Sequence, residues 1–539
     1  MVASPVANVA CGDSDSDAGS STGGMASHAG GQGAGNGGAG RSVMGAGAAG
    51  LGGGAGGIST TDSGGASTAD SGGHAATGGD ATGGVNGTGG SNGTGGDATG
   101  GANGTGGNPS VTFPSGMSDA FPLPGARDVC VDTPLRFTFA GAPAVGSAGT
   151  VRVFDASSPA QPVATVDFAT MTITDTIGGQ SFTLQRRVFV DGNDVVVYLK
   201  ARALAYGRTY FVSVEGGAIR GPGGAAFGIT GGTAWTFTTK PSAPSTVAAL
   251  TVALDGTGDY CSLQGALDAV PANGPARIDI APGRYDSIVY FSGKKSLTIH
   301  GRDRKGVVLT GVNNETLNPG TRTRALVGAD NAGNLAIENL TIQNRTPQGG
   351  SQAEALRLQS CERCIVRDAD ITSLQDTLLW SGKVYAKNCF IAGNVDFVWG
   401  TGVGYFDACE IKTVGRSGPV VQARNGAGAY GYVFVDSRLT GDAGLTGSFL
   451  GRIDAAVYPA SQVAYVDCTL GSHISSAGWT VTNSPIASLR LWEYGSKTPT
   501  GAAIDVSGRA AGSAQISAAQ AATLRDKKTV LGGWDPDAS

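Results

Sequence analysis

Seven short segments in the C-terminal half share one design, and they limit the fold more than anything else in the chain. They are SLTIHG from Ser296, NLTIQN from Asn339, DADITS from Asp368, NCFIAG from Asn388, ACEIKT from Ala408, DSRLTG from Asp436 and DCTLGS from Asp467. From Asn339 onward, successive starts lie 29, 20, 20, 28 and 31 residues apart. Helical periodicity and hairpin spacing are far shorter; a recurrence of this length is that of a solenoid. Leu and Ile at alternate positions then point inward and stack in columns, while their polar neighbours face out. The pattern predicts an all-β architecture, a right-handed parallel β-helix. Its uneven intervals predict loops of varying length on one side, where a groove can form.

The stretch Leu374–Gly400, LQDTLLWSGKVYAKNCFIAGNVDFVWG, places Asp376 and Asp396 20 residues apart, each beside an apolar run. That distance is one coil, so the two carboxylates are expected one strand spacing apart, about 4.8 Å. Neighbouring carboxylates do not both ionise easily. One charged and one protonated carboxyl together make a nucleophile and a proton donor. Successive coils add Gln352, Gln375, Gln422 with Arg424, and Arg452. Amide donors, two carboxylates and a cation in one column suit a reaction that develops negative charge on oxygen. Singly, each residue has a plainer reading. An Asp can cap a turn, the glutamines can form a ladder, and the arginines can be solvated. Their joint occurrence at matched spacing favours a site.

The 539 residues allow two or three domains. Residues 1–108 hold 38 of the 91 glycines and repeat NGTGG at Asn86, Asn92 and Asn103. With almost nothing to bury, this stretch is expected to be a disordered Gly-rich tether. MVASPVANVAC ends at Cys11 before GDSDSD, an arrangement seen after the lipidated cysteine of bacterial lipoproteins. A lipid anchor at Cys11 and an ordinary cysteine on a tail are both open. Residues 109–241 alternate at period two in runs such as LRFTF, TVRVF, VVVYL and TYFVSV, predicting an antiparallel β-sandwich. PSAPS at Pro241–Ser245 is read as a linker, and residues 245–539 as the solenoid. No basic block points to nucleic acid, and no apolar run is long enough to span a bilayer. Cys389, Cys409 and Cys468 recur at one place in their segments; a column of small buried side chains and a Cys389–Cys409 disulfide are both open. Cys361 and Cys364 form a CxxC with no second pair, and the four histidines are scattered, so no metal centre is expected.

Several of these motifs together carry a resemblance. VALDGTGDYCSLQGALDAVP, then QAEALR, QDTL, VDFVWG and LGR in order, then HISSAGW and LWEYGSKTPTGA, make Ala248 to Pro536 similar to the pectin methylesterase family, carbohydrate esterases on a parallel β-helix. The segment before it resembles bacterial immunoglobulin-like domains found beside secreted enzymes. The resemblance implies an extracellular or cell-surface enzyme, a monomer acting on methyl-esterified homogalacturonan with no metal or organic cofactor. It implies Asp396 as nucleophile, Asp376 as general acid and base, Gln352 and Gln375 as oxyanion donors, and Arg452 as the group orienting Asp396. Gln422 and Arg424 are expected to contact substrate.

Two departures stand out. GRYDS carries Ser287 where the family usually has Glu, far from the expected chemistry. The family's LGRPW is here LGRID, so Asp454 replaces a groove tryptophan. Trp399, Trp380 and Tyr458 are the candidates to stack on sugar instead. This change leaves two rivals open: an esterase of the same fold acting on another ester, and a non-catalytic polysaccharide-binding β-helix.

Overall fold

The computed structural model describes residues 112–185 and 187–538. The expected tether and Cys11 lie outside the described residues.

The seven repeated segments owe their likeness to a corner. Their first residues, Ser296, Asn339, Asp368, Asn388, Ala408, Asp436 and Asp467, all take left-handed backbone, with φ between 50° and 57°. Asn and Asp tolerate this region better than most residues bearing a Cβ, because their short side chains bond locally. Six of these corners turn the chain into strands of one sheet, where the apolar residue that follows points inward; Ser296 departs from the pattern and leads into Leu297–Gly301 of a different sheet. Leu309, Ile342, Ile371, Ile391, Ile411, Leu439 and Leu470 stand in register on successive coils. All are buried, each contributing roughly 1.5–3 kcal/mol.

The coils form a parallel β-helix. One face is an eight-stranded parallel sheet from Gly283–Asp286 to Thr469–Leu470. The other two faces join into a 17-stranded sheet, because the strands Leu356–Arg367 and Leu378–Lys387 run through the corner between them. Inside, Trp380, Phe406, Phe434 and Tyr465 stack nearly parallel, with centroids 5.0, 4.4 and 4.7 Å apart. Trp380 therefore belongs to the interior, 1% exposed, and is not a groove residue as its sequence position suggested. In a run whose side chains alternate, Leu378 and Trp380 point in and Leu379 points out.

The cysteine alternatives resolve as follows. Cys389, Cys409 and Cys468 are buried free thiols. The disulfide joins Cys361 to Cys364. Register shifts between Leu358, Cys361 and Cys364, and left-handed Ser360 and Arg363, make that stretch a corner.

The N-terminal strands form two sheets. One orders Asp119–Phe121, Leu135–Thr138, Asp194–Val197 and Val188–Asp191, and the other is built on Thr209–Arg220. Phe137, Phe227 and Trp235 pack edge to face between them. Trp235 Nε1 donates to Pro122 O at 2.8 Å. The hairpin Thr172–Ile177 and Gln180–Gln185 leaves this sandwich and packs on the solenoid. Ile177, Phe182 and Leu184 share a core with Tyr290 and Leu326. Thr183 exchanges two hydrogen bonds with the Asn318 side chain, at 2.7 and 2.8 Å. Gly178, at φ 55°, turns the hairpin where a Cβ would lie 2.0 Å from Tyr290 O. Near the C-terminus, helices Ala518–Arg525 and Lys527–Val530 cover an outer patch of Tyr385, Tyr405, Val433 and Ala464. Among the described residues no helix is long and apolar enough to cross a membrane.

Candidate active site

Two further corners carry Asp376 and Asp396, with φ of 66° and 47°. The residues before them, Gln375 and Val395, form a parallel bridge, so the aspartates occupy equivalent stations on adjacent coils. Asp376 N–H donates to Val395 O at 3.1 Å, and Asp396 N–H donates to Pro419 O at 2.8 Å. The backbone ladder thus holds both corners. The Asp376 and Asp396 side chains are buried, 7% and 4% exposed as residues.

Each carboxylate meets an arginine from another coil. Arg452 pairs with Asp396 through Nη2, with Nε 3.4 Å from the second oxygen. Arg324 Nη2 donates to Asp376 at 3.1 Å. Arg324 is itself held by the fully buried Glu354, through contacts of 2.8 and 3.0 Å, and by Glu315 at 3.0 Å. Burial pushes the Asp376 carboxyl well above the usual carboxylate range. The charges of Glu354 and Asp396 push the same way, against Arg324 and Arg424. Asp376 is therefore shifted toward its protonated form.

Above the pair lies a row of alternating cations and rings. Arg324 and Arg424 sit over Trp399, 5.5 and 4.6 Å from its centroid, and Arg424 also sits 5.3 Å from the Tyr458 centroid. Gln422 Oε1 accepts from Arg424 Nε and Nη2 at 3.1 and 2.7 Å, fixing the guanidinium plane. Trp399 and Gln422 are register partners on adjacent coils. With Trp399 only 5% exposed, its ring is covered by guanidinium groups, and a sugar stacked there would displace Arg424. Tyr458 is half-buried, as are Gln352 and Gln375. Asp454 ends the strand Phe449–Asp454 and caps the turn after it, accepting from Ala456 N–H at 3.0 Å and from Asn483 Nδ2 at 2.8 Å.

The structure thus gathers Asp376, Asp396, Arg452, Trp399, Gln422, Arg424 and Tyr458, and sets Gln375 one residue before Asp376. It removes Trp380 to the core. Sequence reasoning missed Arg324 and Glu354. Glu354 had a signal, a lone carboxylate in the otherwise apolar AEAL of QAEALR. Arg324 had none, because it reaches Asp376 from two coils earlier. A cavity of about 420 Å³ lies elsewhere, between Tyr198, Tyr206 and Tyr260.

A family model described as Pectinesterase matches residues 249–530. The chain is 31% identical over 242 residues to Pectinesterase 31 of Arabidopsis thaliana, covering 42% of this chain and 75% of that one. It is 31% identical over 259 residues to Pectinesterase 2 of Olea europaea, covering 46% and 69%. A solved pectin methylesterase from carrot aligns at 26% identity and a TM-score of 0.49, covering 54% of this chain and 95% of that one. The chain is of the class of carboxylic ester hydrolases built on a parallel β-helix. It belongs to the pectinesterase family.

Proposed function

We propose that this protein hydrolyses methyl esters of polygalacturonate, releasing methanol, with Asp396 as nucleophile and Asp376 as general acid and base. The observation that carries this reading is the adjacency of two buried carboxylates, each against an arginine, of which Asp376 also has the Glu354 charge beside it. Asp396 is paired with Arg452, while Asp376 is driven toward its protonated form.

In the first step an Asp396 oxygen bonds to the ester carbonyl carbon, and the carbonyl electrons move onto oxygen. Gln352 and Gln375, both half-buried, donate to that oxyanion. The C–OCH₃ bond then breaks, and the Asp376 proton passes to the departing oxygen, giving methanol. In the second step Asp376, now a carboxylate, takes a proton from water as the water oxygen attacks the acyl carbon. The galacturonate carboxyl leaves, Asp396 is restored as a carboxylate, and Asp376 again holds a proton. Arg452 keeps Asp396 ionised and oriented throughout. Arg424, Gln422 and Tyr458 form the sugar-facing rim. Because the substrate is a wall polymer, the enzyme acts outside the cell.

The test is methanol release from methylated pectin by the full chain, set beside hydrolysis of a simple aryl ester. Methanol release supports the reading. Aryl ester turnover without methanol would move the substrate to another ester, and pectin affinity with no turnover of either would make the chain a binding protein.

A further inference from the structure

Cys130 and Cys261 lie 131 residues apart in the chain, one in the sandwich and one in the first coil of the solenoid. The structure brings their sulfurs within 4.8 Å of each other. Both residues are buried, at 0% and 1% exposure. Cys130 Sγ also donates to Gly258 O of the solenoid at 3.8 Å. We propose that Cys130 and Cys261 form a disulfide that fastens the sandwich covalently to the N-terminal end of the solenoid.

The surroundings favour a cross-link over a metal. The third ligand-type residue in the cluster is Asp132, and its oxygens are already engaged. Oδ1 accepts from Cys261 N–H at 2.9 Å. Oδ2 accepts from Ser262 N–H at 2.8 Å and from Ser262 Oγ at 2.6 Å. Ser262 in turn caps the helix Leu263–Ala269. Gly265 leaves the room for this, since a Cβ there would lie 2.3 Å from Asp132 Oδ2. A sandwich carboxylate thus fixes the first turn of a solenoid helix, and its fixed position brings Cys261 to Cys130. Two cysteine ligands alone make a poor tetrahedral site.

The chemistry balances as thiol–disulfide exchange with a small disulfide oxidant such as glutathione disulfide. One cysteine thiolate attacks the oxidant and releases one glutathione thiol. The second cysteine attacks the mixed disulfide and releases the other. Two S–H bonds are lost, one S–S bond is gained, and the oxidant carries away two electrons and two protons. The Cys130 hydrogen bond and burial hold Cys261 well above the ordinary thiol range, so exchange is slow once the seam has closed. The oxidant therefore reacts while the seam is open, the second exchange closes the bond as the sandwich seats, and burial then shelters it from reductant. The Cys361–Cys364 disulfide shows that this fold already accommodates one bridge.

The test is peptide mapping of the full chain after incubation with glutathione disulfide across a urea series that opens the seam, followed by alkylation without reductant. The expected result is a Cys130–Cys261 linked peptide that separates on reduction. The urea midpoint of wild type should then be higher oxidised than reduced, while Cys130→Ser/Cys261→Ser shows no such response at that seam. Pectin ester hydrolysis should be unchanged in the double variant. Alkylated Cys130 and Cys261 throughout the series would overturn the proposal. So would bridges from either cysteine to other partners, or stoichiometric zinc held by two free thiols.

Discussion

Asp376 and Asp396 stand at the same station of adjacent coils, aligned by the Gln375–Val395 bridge immediately before them. Their backbone N–H groups are bonded to the neighbouring coil, so the carboxylates are not consumed in capping the turns. They face arginines instead, Arg324 for Asp376 and Arg452 for Asp396.

Glu354 lies behind this arrangement, and its charge is the next cause after burial of the raised Asp376 proton affinity. Glu354→Gln removes that charge and leaves Arg324, already bonded to Asp376, with one carboxylate fewer to neutralise it, and both changes favour the Asp376 carboxylate. Catalysis needs Asp376 protonated, so the alkaline limb of the pH–rate profile should move to lower pH in Glu354→Gln. A limb that stays in place or moves up would contradict the assigned acid.

Arg324 and Glu354 form a buried pair, with side chains 6% and 0% exposed. Arg324→Met leaves Glu354 as an uncompensated buried charge, a loss of about 3–5 kcal/mol in unfolding free energy. The double variant Arg324→Met/Glu354→Met should recover much of it. Urea unfolding of the three proteins measures both effects.

Asp376 also predicts how stability follows pH. Its folded pKa is raised above the ordinary 3.8, so the native state binds more protons than the unfolded state between those two values. Stability from this group is therefore full below about pH 4 and is lost as pH rises through the raised value. Relative to Asp376→Asn, wild type should lose stability over that window. A difference independent of pH, followed by thermal unfolding, would contradict it.

Arg452 is more exposed, with 43% of its side chain accessible against 5% for Asp396. Solvent screens the pair, so Arg452→Leu should cost the fold about 1 kcal/mol or less. The reaction should suffer more, falling about 100-fold in kcat, because the nucleophile loses its orientation and its charge partner. Arg452→Lys keeps the charge without the forked geometry and should fall between. Steady-state methanol release with matched unfolding curves separates the two effects.

The solenoid was legible because its corners demand left-handed backbone. Asn339, Asp368, Asn388, Asp436 and Asp467 answer that demand with the residues that tolerate it, and the inward Ile and Leu columns follow at fixed offsets. The aspartate pair was legible for the same reason, since one coil of chain returns to the same station. Trp380 misled because a loop-like motif sits next to an inward-pointing position in the same strand. Arg324 was invisible because its partners Glu354 and Asp376 lie one and two coils on, 30 and 52 residues away in sequence. The hairpin Thr172–Gln185 was missed for a related reason, as its apolar residues serve the solenoid core rather than the sandwich that carries them.

The most direct measurement is methanol release from methylated pectin by the full chain, by Asp396→Ala and by Asp376→Ala, each shown to be folded by circular dichroism. Loss of a nucleophile or of its acid partner predicts a fall of at least about 1,000-fold in each variant. Either variant, folded and within about tenfold of wild type, would contradict the division of labour between these two carboxylates.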